Sequence, residues 1–87
     1  DKSLKSFLAN FFSDKIEQYQ KVLSPAYSGE VYYLLARFYK DLDETSALKD
    51  SIDKARYFYN QVKENDYLYS AGNISNKLEI LKKLEQD

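Results

Sequence analysis

Ser51 and Lys54 are neighbours on one predicted helix face, and a serine beside a lysine is the reduced form of a nucleophile with its base. Such pairs are abundant on helix surfaces, so the spacing alone carries almost no weight. The second cluster with chemical potential is acidic: Asp41, Asp43 and Glu44. A calcium loop needs oxygen ligands at alternating positions, a glycine at its sharp turn and a terminal glutamate. The glycine is missing, so the plain reading is a solvated acidic turn. Paired-carboxylate catalysis needs a cleft that raises one pKa, and thin helices offer no obvious one. The chain has no His and no Cys, which removes the commonest general base, the commonest metal ligand and every thiolate. Glycine-rich phosphate loops are absent as well. These residues predict no catalytic site, no metal site, no cofactor and no enzyme.

The nine tyrosines carry more information. A buried tyrosine supplies area and seeks one hydrogen bond for its hydroxyl, whereas an exposed one anchors a protein partner. Tyr32, Tyr39 and Tyr59 are expected in the core. Tyr33 is expected off the main apolar stripe, beside Arg37 and Lys40. An aromatic with arginine suits peptide carboxylates and acidic loops, so Tyr33, Arg37 and Lys40 form a candidate partner surface; the alternative is an ordinary solvated face. Tyr67, Leu68 and Tyr69 make a second apolar patch, which either binds a partner or packs on the neighbouring helix.

Eighty-seven residues predict one domain, residues 1–87, with a modest core. Hydrophobic and aromatic fractions of 44% and 16% fit a folded chain, and two Gly with one Pro leave little room for a turn-rich β architecture. The net charge of −1 and acidic isoelectric point argue against nucleic acid, whose binding rests on neutralised phosphates. No apolar run approaches the roughly 20 residues of a bilayer-spanning helix. The chain starts at Asp1 without a methionine and is expected to be a processed or trimmed product; removal of a signal peptide and removal of a lipidation signal are both compatible with that start.

Four helices are predicted, over about 3–23, 29–42, 47–64 and 70–85. In the first, Leu4, Phe7, Leu8, Phe11, Phe12, Ile16, Tyr19, Val22 and Leu23 recur at helical steps and define one apolar face. The residue before a proline is pushed away from the α region, so this helix should stop near Leu23. Ser28 is then the expected N-cap of the second helix, whose main stripe is Val31, Leu34, Leu35, Phe38 and Leu42, with Tyr32, Ala36 and Tyr39 alongside. The third helix should start between Thr45 and Ser51. It presents Leu48, Ile52, Ala55, Tyr59 and Val62 as a seam and ends at Glu64-Asn65-Asp66. Ser70 caps the fourth, with Ile74, Leu78, Leu81 and Leu84 as its apolar face and Lys77, Lys82 and Lys83 on the polar side. Ala36 and Ala55, each within an aromatic-rich segment, are expected where the second and third helices approach most closely. Short connections imply antiparallel neighbours.

An internal repeat is visible. Tyr19-x-x-Val22-x-x-Pro25-Ala26-Tyr27 is answered by Tyr59-x-x-Val62-x-x-Asn65-Asp66-Tyr67, and two-helix units recurring at this distance mark helical repeat arrays. Tyr32-x-x-Leu35-Ala36-x-x-Tyr39 followed by Ala55-x-x-x-Tyr59-x-x-Val62 resembles a tetratricopeptide repeat, with a longer gap between Tyr39 and Ala55 than the family's consensus. A narrower resemblance runs from about Tyr19 to Leu84. Ala55-Arg56-Tyr57-Phe58-Tyr59-Asn60-Gln61-Val62, then Tyr69-Ser70, then Asn76-Lys77-Leu78 looks like the repeats of BamD-type outer-membrane lipoproteins, and Pro25-Ala26-Tyr27-Ser28 repeats their loop theme. The second loop lacks its proline, and members of that family carry more repeats.

The resemblance implies an all-α fold of four antiparallel helices, two hairpins stacked as in tetratricopeptide repeats. It places Tyr33, Arg37 and Lys40 on the concave side. The function it implies is non-catalytic: a subunit of the β-barrel assembly machinery on the periplasmic face of the outer membrane, held by an N-terminal lipid. Its partner would be the large barrel subunit or an unfolded outer-membrane protein. The alternatives are a generic peptide-binding scaffold, cytoplasmic or envelope-attached, and a helical accessory or effector protein. Phe7, Phe11 and Phe12 at one end and Ile80 and Leu84 at the other exceed what four helices bury, which points to a stable partner or a homodimer.

Overall fold

A computed structural model describes residues 1–62 and 71–86, with side chains in the last helix from residue 73 onward. Among the described residues the chain is all-helical: α1 Lys2–Tyr19, α2 Pro25–Asp41, α3 Thr45–Tyr59 and α4 Ala71–Glu85, with no strand.

Pro25 sets the most consequential boundary. It stands at the first position of α2, and Ser24 is the N-cap, its Oγ accepting from the Tyr27 amide at 3.3 Å. Ser28 is therefore not the cap, and α2 begins four positions before the expected residue 29. Proline does push its predecessor out of the α region, but its fixed φ and missing amide also suit the first helical position. α1 correspondingly ends at Tyr19, short of Leu23: the amides of Val22 and Leu23 both bond the Tyr19 carbonyl in the turn. At its other end, Asp1 caps α1 by accepting from the Ser3 amide at 2.9 Å. The link between α2 and α3 turns at Asp43, whose φ of 57° is left-handed, a conformation that short polar side chains tolerate. α3 then starts at Thr45 and stops at Tyr59, before the expected Glu64. Glu64, Asn65, Asp66 and Ser70 lie outside the described residues.

α2 is the central element and lies against each of the other three helices. Its deepest line is Tyr32, Leu35 and Ala36, with Gly29 and Tyr33, while Val31, Leu34, Phe38 and Leu42 are only half-buried. Tyr32 and Ala36 of the adjacent stripe thus lie deeper than most of the main stripe, from which only Leu35 is buried, and Tyr39, expected in the core, is half-buried. α3 presents the expected seam, with Leu48, Ile52, Ala55 and Tyr59 all buried. Ala36 and Ala55 are both wholly buried, and the Tyr32 ring stacks on Phe58 with centroids 5.8 Å apart. A tight approach occurs at Gly29. A Cβ placed there would stand 2.7 Å from Cδ1 and 2.8 Å from Cε1 of Tyr59, so the tyrosine ring rests against bare backbone.

α1 departs most from expectation. Ala9 and Ile16 are its buried residues, while Leu4, Phe7 and Phe11 are exposed, Phe7 at 61%. The helix has two apolar sides, and only the one carrying Ala9, Phe12 and Ile16 meets the core. α4 is fixed by Leu81, which is wholly buried, with Ile74, Leu78 and Leu84 packed against the core cluster to which Leu81 belongs. No described helix is long and apolar enough to cross a membrane.

Candidate functional site

The sequence-predicted partner surface begins on α2. Tyr33 is only 9% exposed, which corrects its expected place off the apolar stripe: residue 33 shares the buried side of α2 with Gly29 and Ala36. Arg37 is exposed, with its guanidinium 5.8 Å from the Tyr33 ring centroid. The Lys77 ammonium of α4 stands 5.4 Å from the same centroid. Two cations therefore converge on one largely covered aromatic, where the ring quadrupole favours positive charge. Among the described residues Arg37 makes no ion pair. Lys40, one turn further, donates to the carbonyls of Leu84 and Gln86, both at 3.2 Å. It closes the C-terminal end of α4, where helix carbonyls lack intrahelical partners. It also borders a cavity of ≈ 280 Å³ floored by Tyr39, Leu48, Ile52 and Leu84. Tyr67 and Tyr69 lie outside the described residues.

Behind this face runs a polar network. Glu30 accepts from the Tyr59 hydroxyl at 2.7 Å and from the Lys77 ammonium. Burial, then the Glu30 carboxylate, holds the Tyr59 hydroxyl well above the ordinary phenol range. Tyr32, buried on α2, donates to Gln20 Oε1 at 3.0 Å, and its burial likewise raises its pKa. The hydroxyls thus have the single partners that buried tyrosines require. The convergence of Glu30 and Lys77 on Tyr59 and Tyr33 is the feature of this site that the sequence does not reveal. The sequence shows Glu30 only as a first-turn acid and Lys77 only as a lysine on a polar helix side, and a pairing across such a separation leaves no periodic trace in one sequence.

Ser51 and Lys54 do line one cleft. However, the hydrogen bond with Asp50 raises the Lys54 pKa, so the ammonium keeps its proton and is unsuited to accept one from Ser51. In the acidic cluster, Asp41 pairs with Lys5 at 2.8 Å, and the lysine lowers its pKa. No group of three or more metal-ligating side chains occurs among the described residues.

Comparison of the chain with protein-family models, with curated proteins and with solved structures finds no match in any of the three.

Proposed function

We propose that this chain is a non-catalytic protein-binding module of the tetratricopeptide kind, two antiparallel helical hairpins stacked together, which receives an acidic segment of its partner at Arg37. The observation that carries the proposal is Arg37 itself: an exposed guanidinium without an ion pair among the described residues, over the Tyr33 ring that Lys77 also approaches. A carboxylate placed there would gain a charge-assisted, bidentate contact. Because Tyr33 is largely covered, Arg37 makes the contact and the ring holds Arg37 in place. The hairpin reading is supported by Lys5 meeting Asp41, which sets the start of α1 beside the end of α2. Tyr59 against Gly29 does the same for α3 and α2. The repeat reading is supported by a shared turn: the Val22 amide bonds the Tyr19 carbonyl at 2.9 Å, and the Val62 amide bonds that of Tyr59 at 3.2 Å.

In particular, the resemblance to BamD-type lipoproteins makes the partner a component of β-barrel assembly. Capture of the native, full-length protein from gently solubilised membranes, with mass spectrometry of its partners and its own N-terminus, tests this. A lipidated N-terminus with a barrel-assembly subunit is the expected result; an unlipidated protein with unrelated partners would leave the generic scaffold. Arg37→Glu tests the face. It should keep the wild-type melting temperature and weaken capture about tenfold, roughly 1.4 kcal/mol, and undiminished capture would remove Arg37 from the interface. The exposed Leu4, Phe7 and Phe11 favour a stable partner or a second copy covering α1. A monomer in sedimentation at high concentration would rule out the second copy.

A further inference from the structure

A second cleft of ≈ 200 Å³ lies between α1, α2 and α3, with Glu17, Tyr32, Tyr39, Asp50, Ser51 and Lys54 in its walls. Its chemistry is already exercised within the fold. The Lys54 ammonium sits 3.0 Å from Asp50 Oδ2 and 5.5 Å from the Tyr32 ring centroid. Tyr32 is 4% exposed and is fixed by its stack on Phe58 and its bond to Gln20, so its ring is rigid and is met only by a group that takes the place of Lys54. Two features remain unused. Ser51 is 3% exposed, and its hydroxyl takes part in no hydrogen bond among the described residues. Glu17 makes no ion pair among them either. The cleft thus joins two carboxylates, a tyrosine ring and a spare hydroxyl acceptor, with one ammonium between them, a donor–acceptor set suited to cations.

We propose that this cleft is a recognition slot for an arginine side chain of a peptide partner, with Lys54 as an internal stand-in that the incoming guanidinium displaces. Lys54 is suited to leave. Its side chain is 45% exposed, and its bond to Asp50 is an i,i+4 pair on one helix, a class of interaction that is weak and open to competition. A guanidinium has what the ammonium lacks: a planar fork that reaches a carboxylate through two hydrogen bonds and a flat surface that stacks on tyrosine. The slot does not depend on the Arg37 face, and it selects the opposite charge.

The test uses the whole chain and two blocked tripeptides, Gly-Arg-Gly and its citrulline counterpart, titrated by NMR with the Tyr32 ring resonances as the reporter. The arginine peptide should bind the wild type weakly and Lys54→Met about tenfold more tightly. Glu17→Gln should weaken binding, and citrulline should bind none of the three proteins. Arginine binding no tighter to Lys54→Met than to wild type would overturn the displacement. Equal binding of citrulline, or shifts that spare Tyr32, would overturn the slot itself. Melting temperatures check that both variants keep the fold, and Lys54→Gln replaces the methionine variant if it does not.

Discussion

Ser28 and Gly29 stand side by side in α2, and substitution to alanine should move stability in opposite directions at the two positions. The Ser28 hydroxyl is buried without a hydrogen-bond partner among the described residues. Ser28→Ala removes that uncompensated group and improves helix propensity, so it should raise stability by about 1 kcal/mol. Gly29→Ala adds a methyl where the Tyr59 ring already sits, and ring and backbone must part. A loss of about 1–3 kcal/mol is expected. Urea midpoints of the two variants decide the matter, and a shift of the same sign in both would contradict the packing described. Neither role was legible in the sequence. Reading Pro25 only as a terminator makes Ser28 the cap and Gly29 the first residue of α2, and the occupant of the space at Gly29 comes from another helix.

At the scale of the elements, legibility followed the number of apolar sides. α3 has one, and Leu48, Ile52, Ala55 and Tyr59 were identified from spacing alone. α1 has two, and spacing cannot say which of them meets α2, so Leu4, Phe7 and Phe11 were counted with Ile16. The same ambiguity misplaced Tyr33 on α2, the helix with neighbours on several sides. Of the candidate site, Arg37 was legible as an exposed cation, while Lys77 and Glu30 were not, because their relation exists only once α4 docks. Helix starts are sensitive to single side chains. Ser24→Ala should destabilise by about 1 kcal/mol, since a hydroxyl cap would be lost where α2 meets the rest of the fold. Hydrogen exchange would show whether the first turn of α2 opens in that variant; unchanged protection there would mean that Pro25 alone fixes the start.

For the molecule as a whole, the titrating groups define a plateau of stability. Lys5 lowers the pKa of Asp41 and Arg56 lowers that of Glu85. Their stabilisation is therefore present above the ordinary carboxylate value near 4, and is lost as pH falls through the lower folded values. Tyr32 and Tyr59 are shifted upward. Their stabilisation is complete below the ordinary phenol value near 10, and is lost as pH rises towards the folded values. Denaturation midpoints should thus be level from about pH 5 to 9 and fall on both sides. Tyr59→Phe should lessen the alkaline fall; an alkaline limb identical to wild type would assign that fall to other groups. The central place of α2 has a thermodynamic corollary. Among the described residues no backbone contact joins α1 to α4, so each senses the other only through α2. In a double-mutant cycle, Ile16→Val and Leu81→Ala should add within about 0.5 kcal/mol. A larger coupling would mean that α2 transmits strain rather than insulating its neighbours.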